Sequence, residues 1–292
     1  MATRATSVPA TDHRRKLLAA LPVTERRLEL GGITTAVLEG GDGPPIILLH
    51  GPAGYAAHWL RVIPDLVPTH RVIAPDLPGH GATDPIDGPV TLKRVLDWLD
   101  QLIERTCASP PVLVGHTLGG AIGARFAAER GGRIRHLVLE GSLGLASFQP
   151  APAFGQALGR FVADPTPETH DGLWEQCAMD LGRLRSALGE PWETIKAYNL
   201  EGARTAEVQT TRQGLMEQFA FPPIPPEELA RITVPTTLIW GRQDRATPLS
   251  VAERASERYG WPLHDIENAA VDPSIEQPEA FVARLNAILD PR

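Results

Sequence analysis

Residues 112 to 129 read VLVGHTLGGAIGARFAAE, an apolar run that passes through a glycine-flanked turn into a helical pattern. At its centre Gly115-His116-Thr117-Leu118-Gly119 has the form G-x-nucleophile-x-G, a sharp strand-to-helix turn that lifts the middle side chain above a sheet edge. A threonine hydroxyl there attacks a carbonyl only if a base takes its proton. Without one it stays protonated at neutral pH. Threonine also carries a burden that serine does not, because such a turn imposes a strained backbone on a β-branched residue.

Other groups with chemistry to offer are scattered. His58 follows GPAGYAA at the start of a helical segment, where it faces either a pocket or solvent. His116 precedes the apex and either points away from the nucleophile's side or joins the binding residues. His50 and His80 sit in turns, as loop braces. Cys107 and Cys177 have neither a CxxC pattern nor a histidine-rich neighbour, so no disulfide framework and no zinc site is expected. No metal, nucleotide or flavin fingerprint is visible, and the expectation is no cofactor.

The elements that must position these residues follow from the patterning. RRLEL and ITTAVLEG alternate around Gly31-Gly32 as a hairpin. PPIILLHG, HRVIAPDLPGHG, PVLVG and RHLVLEG are short apolar runs separated by helical segments, near 58 to 67, at about 91 to 106, and after Thr117. Strands of that kind are covered on both faces in a mainly parallel sheet with right-handed crossovers. From Leu145 to Pro226 helical segments without strands are bounded by FQPAPAF and FPPIPPEEL. Strand and helix alternation then resumes with VPTTLIWGRQD, WPLHDIE and a final helix at about 275 to 289. The reading is a polar leader over 1 to 24, a core over 25 to 144 and 227 to 292, and an inserted helical cap over 145 to 226.

A chain of 292 residues with 22% charged and 42% hydrophobic residues has the composition of a globular protein with a full core. Its net charge of −7, with both signs mixed along the chain, argues against nucleic acid and anionic membranes as partners. No apolar run is long enough for a signal peptide or a membrane span. A cytoplasmic protein is expected, with a small molecule as its partner; oligomeric state leaves no mark. Abundant Ala, Arg, Gly and Pro point to a bacterial gene.

Taken with LLHGPAG, DLPGHG and IWGRQD, the turn at Thr117 makes the chain resemble the α/β-hydrolase superfamily from about residue 25 to 290. The resemblance implies an α/β fold, with a mainly parallel sheet flanked by helices and a helical cap. It implies a nucleophile, an acid and a histidine in that chain order, with two backbone donors for an oxyanion. Asp244 matches the acid. The residue matching the histidine, within IENAAVDPSIEQPEAF, is Val271, and Asp272 is the titratable group beside it. Pro52 falls where one oxyanion donor is commonly supplied and has no N–H, leaving the amide of Leu118. One lost donor costs about 2.7 to 4 kcal/mol of transition-state stabilisation. Asp244 has two readings, as a catalytic or binding carboxylate and as a cap or partner of Arg242 or Arg245. Glu140 lies where some members keep an alternative acid.

These departures lead to an expected non-hydrolytic enzyme: elimination, isomerisation or cyclisation of a small apolar metabolite in specialised metabolism. Thr117 would hydrogen-bond the substrate, and His58, Asp244 or Asp272 would move a proton. An unusual hydrolase with Thr117 as a slow nucleophile is the second expectation. A ligand-binding receptor or scaffold is the third.

Overall fold

The computed structural model describes residues 12–203 and 206–289, so residues 1–11 of the expected leader lie outside the described residues. After helix α1 (Asp12–Ala19), strands β1 (Thr24–Leu30) and β2 (Ile33–Gly40) form the expected hairpin, with Leu30 opposite Ile33. Gly31 and Gly32 have φ of 59° and 80°, as a tight hairpin turn requires. The alternation continues through β3 (Pro45–Leu49), a short 3-10 turn over 56–61, α2 (Ile63–Leu66), β4 (Arg71–Pro75), α3 (Leu92–Thr106), β5 (Val112–His116), α4 (Leu118–Arg130) and β6 (His136–Glu140).

The segment expected as a cap holds α5 (Pro152–Ala163), α6 (Pro167–Cys177), α7 (Leu181–Leu188), α8 (Pro191–Gly202), α9 (Ala206–Leu215) and α10 (Pro226–Leu229). The chain then returns through β7 (Thr236–Gly241), α11 (Leu249–Tyr259), β8 (Leu263–Ile266), α12 (Pro273–Glu276) and α13 (Pro278–Leu289). Two expected helices are each divided. The helical pattern of TPETHDGLWEQCAMDLGRLRSAL breaks where Asp180 caps a new helix by accepting from the Arg183 amide, and the final helix expected at about 275 to 289 breaks at Gln277 before Pro278.

The eight strands form one sheet in the order β1-β2-β4-β3-β5-β6-β7-β8. The β1–β2 and β2–β4 pairs are antiparallel and the rest parallel. Every residue of β3, β5 and β7 is buried, because helices cover both faces. The leader contributes to this core. Arg14 of α1 is buried and pairs with Asp76 at 2.8 Å and with Glu25, tying α1 to the loop after β4. No helix among the described residues is long and apolar enough to cross a membrane.

Candidate functional site

The turn after β5 has the conformation its glycines predict. Thr117 has φ 44° and ψ −102°. Its amide donates to Glu140 O at 2.9 Å, and its carbonyl accepts from the amides of Ala121 and Leu143 at 3.0 and 3.1 Å. Those three bonds hold a backbone that threonine avoids elsewhere. Gly119 is needed for close packing, since a Cβ there would sit 2.3 Å from Leu49 O. Leu118 opens α4, where the first amides have no intrahelical partner.

Thr117 Oγ1 is buried and without a hydrogen-bond partner. A Cβ built on Gly51 would lie 2.3 Å from this oxygen and 2.8 Å from His116 Nδ1, so both atoms face the bare α-carbon of Gly51. On the other side, a Cβ on Gly141 would lie 3.8 Å from Thr117 Cγ2 and 3.4 Å from Asp244 Oδ2. The hydroxyl therefore lies on the Gly51 side of the turn and the methyl on the Gly141 side.

His116 does not simply turn away from the apex, as one expectation had it. Its Nε2 lies 3.0 Å from Val271 O and 3.1 Å from Asp272 Oδ1. A carbonyl oxygen only accepts, so Nε2 carries a proton and donates it to Val271 O, and the ring's other nitrogen is Nδ1. That Nδ1 is buried and has no hydrogen-bond partner. His58 stacks on His116, with ring centroids 5.1 Å apart and planes 15° from parallel. Its Nε2 lies 3.0 Å from Asp272 Oδ1 but off the line of a hydrogen bond, leaving both atoms without such a partner. Burial acts to raise the Asp272 carboxyl, but nearby His116 and His58 outweigh it and hold the group below its ordinary range.

Asp244 stands apart from those rings. Its Oδ1 accepts from the amides of Ala246 and Thr247, both at 2.8 Å, while Oδ2 is buried and unpartnered. Burial pushes its carboxyl well above the usual carboxylate range, more than the two amides lower it. The pairing with Arg242 or Arg245 does not form: Arg242 binds Asp265 and Glu267, and Arg245 donates to the backbone carbonyls of Glu175 and Ala178. Glu140 accepts from the Ser274 amide at 2.8 Å, and burial raises its carboxyl to about 7.

Val271 packs its side chain with Phe154 and Ala246, and its carbonyl is what orients His116. Pro52 is exposed in a turn closed by Gly54 N to Gly51 O, with Ala53 at φ 56°. His50 and His80 brace loops: His50 Nε2 accepts from the Leu77 amide at 2.9 Å, and His80 Nδ1 meets Pro78 O at 3.0 Å. Cys177 is held as a thiol by burial and by the nearby carboxyls of Asp272 and Asp244.

A cavity of about 470 Å³ opens beside the turn. Ser142, Leu143, Phe148, Ala246, Thr247 and Arg254 are among its walls. Its walls include Leu143, whose amide donates to Thr117 O, and Ala246 and Thr247, whose amides donate to Asp244, but neither Thr117 nor Asp244 itself lines it. The base-side arrangement of His116, Asp272 and His58 has no local sequence signature. It joins the end of β5, the 3-10 turn and the loop after β8.

The alpha/beta hydrolase family model matches residues 46–284. The chain is 30% identical over 270 residues to 2-hydroxy-6-oxo-6-(2'-aminophenyl)hexa-2,4-dienoic acid hydrolase of Metapseudomonas resinovorans, covering 88% of each protein. Among solved structures, 2-hydroxy-6-oxo-6-phenylhexa-2,4-dienoate hydrolase from Rhodococcus sp. strain RHA1 superposes with a TM-score of 0.79 at 25% identity, covering 90% of this chain and 97% of that one. A membrane phospholipase A described as a bacterial virulence factor superposes with a TM-score of 0.78 at 26% identity, covering 95% and 88%.

Proposed function

Because the chain belongs to the alpha/beta hydrolase family, we propose that it hydrolyses a small substrate at a carbonyl group, using Thr117 as a slow nucleophile and a relocated base. The relatives' names describe hydrolases of 6-oxo dienoates and a phospholipase A. Both need attack on a carbonyl carbon and a proton for the departing group. Elimination, isomerisation and cyclisation, expected above from the departures at Thr117 and Val271, draw no support from these relatives.

The observation that carries the reading is the pairing of two unsatisfied atoms, Thr117 Oγ1 and His116 Nδ1, on the same flank of Gly51. With Val271 in the usual histidine position, the familiar triad has no imidazole. His116 supplies one from the neighbouring residue. Its Nε2–H is fixed by Val271 O and faces Asp272, which leaves Nδ1 to accept the Thr117 proton. An apo site often holds such pairs beyond bonding distance until substrate closes it.

The remaining roles follow from position. Thr117 Oγ1 adds to the carbonyl carbon, and the Leu118 amide at the start of α4 meets the oxyanion. Asp244, whose carboxyl is pushed by burial toward the protonated form, gives its proton to the leaving carbon or oxygen as the bond to the carbonyl carbon breaks. Water then attacks the acyl-threonine: Asp244, now a carboxylate, takes a proton from the water and is restored as the acid, and His116 returns the proton it took to Thr117 Oγ1 as the acyl bond breaks. Pro52 removes one oxyanion donor, and the Thr117 methyl crowds the approach, so the chemistry is slow. Arg254 and the hydroxyls of the cavity wall suit a polar end of the substrate.

The test is turnover. 2-Hydroxy-6-oxo-6-phenylhexa-2,4-dienoate and short-chain p-nitrophenyl esters are offered to the pure protein, with both products quantified. Slow multiple turnover of either class supports the reading, and none on both overturns it.

A further inference from the structure

We propose that His58, His116 and Asp272 form a binding site for one borderline divalent cation of the zinc class. Their ligand atoms all lie within 4.8 Å of one another, and the two measured separations from Asp272 Oδ1 are 3.0 and 3.1 Å. Around a tetrahedral ion with bonds of about 2.1 Å, neighbouring ligand atoms stand about 3.4 Å apart. Shifts of a few tenths of an ångström would open the cluster around an ion. Two imidazoles and one carboxylate are a donor set that suits zinc, with a further position left for water.

The second observation is independent of spacing. His58 Nε2 and Asp272 Oδ1 are buried and face each other without the geometry of a hydrogen bond. Buried polar atoms are almost always satisfied, and a shared cation satisfies both at once. His58 is the side chain through which an ion would enter, being 13% exposed while Asp272 is 7% and His116 5%. No local spacing announces this site, because the three residues come from three elements brought together only by the fold.

Binding has a consequence for the reaction that rests on the proposed function. A metal on His116 Nε2 displaces the proton now given to Val271 O, and the neutral ring then carries it on Nδ1. The nitrogen that should accept from Thr117 becomes a donor, so the ion silences the base. The site would act as an inhibitory one.

The test uses the whole chain, stripped with chelator and titrated with zinc by calorimetry, and with cobalt(II) by visible absorption. One zinc per chain is expected, with a cobalt spectrum of four-coordinate intensity. His58→Gln and Asp272→Asn should each weaken zinc binding at least tenfold, with folding checked by circular dichroism. Zinc binding that is absent, or unchanged in a folded His58→Gln protein, overturns the site. Zinc that binds at the site without slowing hydrolysis overturns the inhibitory role and leaves binding intact. If zinc binds but the metal-free protein hydrolyses nothing, the site stands and the proposed function falls.

Discussion

His58 and His116 lie face to face, 5.1 Å between ring centroids, and each presents Nε2 to the same Asp272 oxygen, at 3.0 and 3.1 Å. A buried carboxylate between two imidazoles fixes where both rings point. His116 Nδ1 and Thr117 Oγ1 are both buried on the Gly51 side of the turn, each without a hydrogen-bond partner. Val271 takes part through its backbone carbonyl, which accepts from His116 Nε2 at 3.0 Å.

Thr117→Ser removes a methyl from a residue held at φ 44° and leaves the hydroxyl. Hydrolysis should rise at least tenfold, because the attack path opens while the base stays. Adding Val271→His should raise it further by restoring an imidazole on the side of Asp244. Steady-state kinetics on one activated ester checks both, and a fall in the serine variant would speak against Thr117 as nucleophile.

Asp244→Asn should leave stability within about 1 kcal/mol, because an amide oxygen can still accept from Ala246 and Thr247 and burial already disfavours the charged carboxylate. Asp244→Ala loses both bonds and should cost about 1 to 3 kcal/mol in urea unfolding. Activity separates the roles differently: both variants should lose the proton donor and slow at least a hundredfold.

His170 of α6 sets a pH test. It is buried among Phe161, Trp174 and Trp192, and burial lowers it from 6.5 to about 4. A histidine depressed in the fold gains its proton on unfolding, so stability is lost as pH falls below about 6.5 and the loss is complete near the folded value. Between pH 7 and pH 5 the native protein should lose up to about 2 kcal/mol relative to His170→Asn. Parallel urea curves at the two pH values measure the difference, and equal changes in both proteins would contradict it.

Arg14→Ala should be severe. The guanidinium is buried against Asp76, which also accepts from the amides of Ala56 and Ala82 at 2.6 and 2.8 Å. Removing it strands a buried carboxylate and should cost about 3 to 5 kcal/mol. A loss below 1 kcal/mol would mean that α1 contributes little to the core.

The frame was legible because its signals are local. Continuous apolar runs marked β3, β5 and β7, and Gly115 and Gly119 marked the turn that strains Thr117. The role of α1 was not, since its sequence is largely polar and Arg14 is buried only through partners at Glu25 and Asp76. The arrangement of His58, His116 and Asp272 was hidden for a related reason. Each residue stood out alone, but their contact depends on where the loop after β8 crosses the end of β5, and no spacing along the chain records that.

Labelling by a fluorophosphonate, followed by peptide mass spectrometry, tests the pairing of Thr117 with His116 most directly. The protein should label at Thr117, slowly, and His116→Ala should label at least a hundredfold more slowly while remaining folded. Labelling at an unchanged rate in that variant, or at another residue, would contradict the relocated base.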